Sequence, residues 1–259
     1  MSQVIAIHSF RGGTGKSNLS ANLAAQLAIQ GKRVAVMDTD INSPGLHVLF
    51  GLNEDSVKFT LNQHLRGEIP IEQVALRIGE QASANTGLRQ LADKHLWLVP
   101  SSINTQEITF ILRAGYDVDR LNQSLQTLQT SLKLDYLILD THPGLNEETL
   151  LSIAITDILL LVMRPDQQDF QGTMVTTKIA RTLEVPNLFL VVNKLLARYD
   201  AQQMADDVQG LYQAPAIGVL PLSEDVADLG SADIFSLVYP DHQWSQIIKQ
   251  IADHVAATS

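Results

Sequence analysis

Apolar runs recur along the chain at 3–9, 33–38, 96–100, 136–140, 158–163, 188–193 and 216–220. Most are continuous rather than alternating, the pattern of parallel strands covered by helices on both faces. Between them, apolar residues fall at helical spacing. Residues 16–30 bring Leu19, Leu23, Leu27 and Ala28 to one face. Residues 118–132 do the same with Leu121, Leu125, Leu128 and Leu132, and Asp117 or Asp119 is placed to cap that helix. Further helices are predicted over 170–183, 201–211 and 244–257. Strand and helix alternate throughout, which predicts one α/β domain over 1–259: a doubly wound, mostly parallel sheet with helices on both faces. Residues 41–94 break the rhythm, with polar and charged positions around short apolar clusters. They are expected to form a surface excursion of the kind that carries partner contacts.

Composition narrows the chemistry. The 259 residues are 45% apolar, enough to bury a core without a disulfide or metal staple. The absence of cysteine excludes thiol nucleophiles, disulfide frameworks, thiolate-held iron–sulfur clusters and cysteine zinc sites. Seven histidines show no His-Glu-x-x-His spacing, so a catalytic zinc is not expected. The net charge of −10 is uneven: residues 1–150 carry 12 Lys and Arg against 15 Asp and Glu, residues 151–259 carry 6 against 13. Such a chain lacks the broad basic field that dominates non-specific nucleic-acid binding. No long apolar span appears, and the opening MSQVIAIHSFRGG lacks a basic start and a small-residue cleavage site. A cytoplasmic protein is the expectation.

The most informative segment follows the first strand: Phe10-Arg11-Gly12-Gly13-Thr14-Gly15-Lys16-Ser17, running straight into a helix. Glycines at 12, 13 and 15 allow positive φ and close approach of the backbone to a ligand, turning several N–H groups toward one point. The helix N-terminus adds partial positive charge. Lys16 is placed to reach β- and γ-phosphates, and the Ser17 hydroxyl to ligate Mg²⁺. The common P-loop pattern has glycine at position 10, where this chain has Phe10.

Here the sequence resembles the MinD/ParA family, whose deviant Walker A pattern is Lys-Gly-Gly-x-Gly-Lys-Ser/Thr. Arg11 stands where that family carries its signature lysine. The resemblance implies an ATP-dependent homodimer in which this residue reaches across to the partner's phosphates. An arginine could do so as a finger supplied in trans, or remain a solvated loop cation beside a polyanion. The resemblance also implies nucleotide contacts from Gly12, Gly13, Thr14, Gly15, Lys16, Ser17 and Asn18. Asp38-Thr39-Asp40 looks like the family's switch segment, with Asp40 positioning the attacking water and Asp38 supporting the metal. An Asp at a strand end also caps turns, which is the other reading of this pair. Tyr136–Asp140 is Walker B-like, an apolar strand that delivers Asp140 to the metal region. His142, in the following His142-Pro143-Gly144, reads either as a loop histidine or as a neighbour of the γ-phosphate. Asn193 matches the family position that recognises adenine, an amide donor and acceptor suiting that base, and Pro221 lies in the loop along it. No guanine-reading Asn-Lys-x-Asp is present, because Leu195 and Leu196 follow Lys194.

By the same resemblance the function is a slow, partner-stimulated ATPase switch that positions or partitions a cargo, with ATP and Mg²⁺ as cofactors and an activator or cargo-adaptor protein as partner. Two alternatives stand beside it: a P-loop ligase of the dethiobiotin-synthetase or cobyric-acid type, and a hydrolysis-deficient, ATP-gated scaffold. A membrane is not the expected surface. The last helix carries Trp244, Ile247, Ile248, Ile251 and Val255 on one stripe but little basic charge, and packing on the body is expected of it. Non-specific DNA is a weaker candidate surface, through Lys178 with Arg181 and Lys194 with Arg198; such pairs usually belong to a solvated face.

Overall fold

A computed structural model describes residues 2–79 and 87–258. Strands β1 (Gln3–His8), β2 (Val34–Asp38), β3 (Leu76–Arg77), β4 (Leu96–Val99), β5 (Tyr136–Asp140), β6 (Ile158–Met163), β7 (Asn187–Leu195) and β8 (Ala216–Pro221) form one sheet in the order β3-β4-β2-β5-β1-β6-β7-β8. The pairings are parallel except for β3 with β4. The expected fold class is the observed one, with a two-residue antiparallel edge strand added that is too short to leave a pattern.

The longer helices are α1 (Lys16–Ile29), α2 (Thr105–Ala114), α3 (Val118–Ser131), α4 (Glu147–Ala154), α5 (Gln167–Thr182), α6 (Ala201–Tyr212) and α7 (Gln243–Ala257). Side chains alternate across the strands, so each strand feeds two cores. On one face Ile5, Ile7 and Ile138 pack with Leu19, Leu23 and Leu27 of α1 and with Ile248, Ile251 and Val255 of α7. On the other, Met37, Leu137 and Leu139 meet Leu121, Leu125 and Leu128 of α3. Farther along that face Ala6, Leu159 and Leu161 share a core with Ala180 of α5 and Val208 of α6.

Differences from the sequence expectation have local causes. α5 begins earlier than residue 170 because the Asp166 carboxylate accepts from the N–H groups of Gln168 and Asp169. Neither α2 nor α4 is foreseen. Both are fixed by asparagine caps, Asn104 and Asn146, and α2 buries only Ile111, so no apolar stripe announces it. The 41–94 segment is not a loose excursion. Leu61, Leu65, Ile71 and Val74, on the short helices Leu61–Leu65 and Ile71–Val74, enter the core beneath β2 and β4. Residues 80–86 of that segment, like Met1 and Ser259, lie outside the described residues.

α7 packs against α1 and β8 with Trp244, Ile248, Ile251 and Val255 buried, as its stripe predicts. Among the described residues, no helix is long and apolar enough to cross a membrane. Ile251→Ala is expected to cost about 3 kcal/mol in urea denaturation, the usual range for a buried large-to-small change. Lys249→Ala, one face round on the exposed side, is expected to change stability by less than about 0.5 kcal/mol.

Candidate nucleotide site

The sheet order brings the three strand ends singled out by the sequence side by side. Asp38 ends β2 and pairs in register with Asp140 at the end of β5, and Ile7 of β1 pairs with Asp140 from the other side. The loop 9–15 leaves β1 at this edge and enters α1. Gly13 and Gly15 lie at φ +77° and +93°, conformations that favour glycine. A Cβ on Gly15 would also strike the Asn193 amide. Gly15 occupies the cap position of α1 and offers no side-chain acceptor to the first N–H groups of the helix. The loop is braced from inside and outside. Ser9 Oγ donates to the Arg11 carbonyl at 2.6 Å, and the Gly144 N–H, from the loop after β5, donates to the Ser9 carbonyl at 3.1 Å. Lys16 is buried, and its Nζ donates to Ser9 Oγ at 3.1 Å. Burial lowers the Lys16 pKa, while the charges of Asp140 and Asp40 oppose that shift.

The acidic side of the site divides into three roles. Asp140 is buried and accepts from the Ser20 hydroxyl at 3.0 Å. Burial pushes its pKa up to about 6, against the pull of Ser17, Lys16 and Ser20. Asp38 is pushed well above the usual carboxylate range, first by burial and then by the charge of Asp140. Asp38, expected to support the metal, is engaged by backbone N–H groups of the loop that follows. Its Oδ2 accepts from the N–H groups of Gly45 and Leu46 at 3.1 Å each, and its Oδ1 from Asp40 N–H at 3.1 Å. It holds the loop that follows, the turn-capping alternative. Asp40 Oδ1 pairs with His142 Nδ1 at 2.7 Å and accepts from Ser43 N–H at 3.1 Å, which makes His142 more than an idle loop residue.

His8 was missed by sequence reasoning, although it is the last residue of β1. It is buried, and its pKa falls to about 3, through burial first and then the charges of Lys16 and His142. The Thr141 hydroxyl donates to the Ile7 carbonyl, so the 2.8 Å contact between His8 Nδ1 and Thr141 Oγ1 assigns the His8 proton to Nδ1.

Arg11 and Phe10 are anchored within the chain. Arg11 lies 3.6 Å from Asp166 and 3.8 Å from Asp169, while Arg164 Nε donates to Asp169 at 3.0 Å. The Phe10 ring lies on Gly172 of α5, where an added Cβ would come within 2.7 Å of Phe10 Cβ. Asp166, Asp169 and Gly172 carry no motif of their own, and only their place beside the loop reveals them.

On the other flank, Gly15, Asn18, Asn193, Lys194, Pro221 and Trp244 line a cavity of about 260 Å³ between the loop and the end of β8. Asn193 Nδ2 donates to the Thr14 carbonyl at 2.8 Å and its Oδ1 accepts from Lys194 N–H, so this amide holds the loop as well as facing the cavity. Of the basic pairs weighed for DNA, Arg181 donates to the Tyr212 and Gln213 carbonyls at the end of α6 and Lys194 Nζ to the Gly13 carbonyl. Arg198 stacks on Tyr199, and Lys178 is exposed.

A glycine loop between a parallel strand and a helix, with a buried lysine facing strand-end carboxylates, defines the class of P-loop NTPases. Residues 1–256 match the ParA family, described as NUBPL iron-transfer P-loop NTPase, and the chain belongs to that family. An ATP-binding protein of Methanocaldococcus jannaschii is 29% identical over 255 residues, 97% of this chain and 87% of that one. A MinD septum site-determining protein of Nephroselmis olivacea is 27% identical over 86% of this chain and 76% of its own. The fold matches that of Pyrococcus horikoshii MinD, solved with Mg-ADP, at a TM-score of 0.78 and 20% identity, covering 98% of this chain and 96% of that one.

Two tests follow from this geometry. Gly172→Ala is expected to destabilise the protein by about 1–3 kcal/mol through overpacking against Phe10, and Phe10→Gly in the same chain to recover most of it, read by thermal unfolding. For Asp140 the folded pKa lies above the ordinary value, so its contribution to stability is full below about pH 4 and is lost as pH rises through about 6. Asp140→Asn is therefore expected to exceed the parent in stability by about 1–3 kcal/mol at pH 7, a gap that closes toward pH 4 in urea titrations.

Proposed function

We propose that the chain binds ATP with Mg²⁺ at the loop 9–15 and the start of α1, hydrolyses it slowly, and uses the bound state to form a homodimer that positions a cellular cargo with a partner protein. The observation that carries the reading is the meeting of Lys16, on the glycine loop, with Asp140 and Asp40 at one sheet edge. Gly12, Gly13, Thr14 and Gly15 present backbone N–H groups to the phosphates, and Lys16 supplies the ammonium. Ser17, at the start of α1, and Asp140, at the end of β5, offer the hard oxygens that Mg²⁺ takes. When bound, that ion neutralises charge developing on the phosphates.

Asp40 is the residue we assign to the attacking water. His142 and Ser43 both engage its Oδ1, leaving Oδ2 to accept the water's proton bond. Asn18, Asn193 and Pro221 line the base cavity, with Asn193 offering its second N–H to the base. Arg11, released from Asp166 and Asp169, would reach the second nucleotide across the dimer. The names of the MinD relatives support cargo positioning, and the ATP-binding relative supports the nucleotide. Without cysteine, these 259 residues supply no thiolate for the iron transfer named in the family description. With Arg181 and Lys194 engaged inside the chain, a protein is the partner surface we favour over DNA.

Light scattering in ATP, ADP and no nucleotide tests the switch: a dimer in ATP alone is expected, and a monomer in all three overturns it. Lys16→Ala is expected to abolish nucleotide binding. Asp40→Ala should keep the ATP dimer while phosphate release falls about a hundredfold or more.

A further inference from the structure

β7 does not end as a regular strand. Its register against β8 breaks between Val192 and Leu195, and inside the break Lys194 takes φ +63°, a left-handed conformation uncommon for any residue but glycine. Irregularities of this kind re-aim side chains beside functional sites. In a regular strand, Asn193 and Lys194 would point to opposite faces. Here both reach the glycine loop. Asn193 Nδ2 donates to the Thr14 carbonyl and Lys194 Nζ to the Gly13 carbonyl, each at 2.8 Å. The Lys194 N–H donates to Asn193 Oδ1, also at 2.8 Å, which locks the two residues to each other.

The effect on the loop follows from peptide geometry. A peptide unit is planar and trans, so its carbonyl and the next N–H point in opposite directions. Drawing the Gly13 carbonyl toward Lys194 turns the Thr14 N–H the other way, and drawing the Thr14 carbonyl toward Asn193 does the same to the Gly15 N–H. Gly13 cannot hold this orientation through its own packing. It has no side chain, it sits at positive φ, and nothing lies within 4 Å of where its Cβ would be.

We propose that Lys194 is a positioning residue which, with Asn193, clamps the glycine loop with its N–H groups aimed at the phosphates. Lys194 also lines the cavity beside the loop, so occupation of that cavity by the base and the readiness of the phosphate cradle are set by the same two residues. The assignment rests on the nucleotide reading of the site. The ammonium acts on the loop's carbonyl, without touching the reacting phosphate.

Lys194→Met keeps the length of the side chain and removes the donor, and Lys194→Arg restores one. Backbone hydrogen exchange of residues 12–16 in the nucleotide-free protein is expected to quicken about fivefold in Lys194→Met and to return toward the parent rate in Lys194→Arg. Calorimetry with Mg²⁺ is expected to show about a fivefold weaker affinity in Lys194→Met for ATP and for inorganic tripolyphosphate alike, because the tripolyphosphate has no base to lose. A loss confined to ATP, with exchange unchanged, makes Lys194 a base contact and overturns the clamp. If the parent binds neither ligand, the nucleotide reading fails, and the exchange rates alone then decide the clamp: unchanged rates overturn it.

Discussion

The site is organised around a buried ammonium. Lys16 is drawn below its ordinary pKa by burial, a shift opposed by the charges of Asp140 and Asp40, and the buried Asp140 carboxylate is in turn favoured in its charged form by Lys16. A charge taken out of water is costly, and the nearby carboxylates offset part of that cost for the ammonium. That electrostatic arrangement requires the loop after β1, the end of β5 and the loop after β2 to meet at one edge. The order β2-β5-β1 delivers that. The raised pKa of Asp140 is the cost that remains, and it marks a site whose balance of charge a polyanion and a cation would complete.

The departures from the common glycine loop are accommodated by residues far away in sequence. Phe10 stands where the pattern has glycine, and Gly172 supplies the missing space on α5. Arg11 faces the carboxylates of Asp166 and Asp169 at the start of the same helix. Asp166 also caps that helix, so the anchor for Arg11 and the entry angle of α5 are fixed by one carboxylate. For Arg11 to serve a second subunit these ion pairs must break. Both are long and partly exposed to water on the arginine side, the kind of pair that costs little to open.

Much of this was legible in the sequence because the signals are local. Continuous apolar runs disclosed the parallel strands, and Gly12, Gly13 and Gly15 before Lys16 disclosed the loop. What was illegible depends on contacts between distant segments. His142 shows its partner only when β5 and β2 lie side by side, which puts it on Asp40 across 102 residues. Gly172 has meaning only beneath Phe10. The short helices within 41–94 have apolar residues too few to show a period, and the antiparallel β3 is two residues long. Asp38 shows a further limit. Its position at a strand end fits a metal ligand and a turn cap equally, and only the fold reveals the three N–H groups that make it a cap.

That role bears on how the site is held ready. Because Asp38 binds Gly45, Leu46 and Asp40 N–H, the loop after β2 is fixed to its own strand, and the Asp40 side chain is delivered toward the loop after β5. His142 then fixes Asp40 from the opposite side, and the Gly144 N–H, two residues on, ties the same loop to Ser9, the residue that also receives Lys16. The three loops are therefore joined in an open chain: hydrogen bonds link Asp38 to Asp40 and Asp40 to His142, the loop itself runs on to Gly144, and further hydrogen bonds link Gly144 to Ser9 and Ser9 to Lys16. A shift in any one strand end is felt by the carboxylate proposed to hold the water and by the ammonium proposed to hold the phosphate together, since each is braced by a loop that also braces the other.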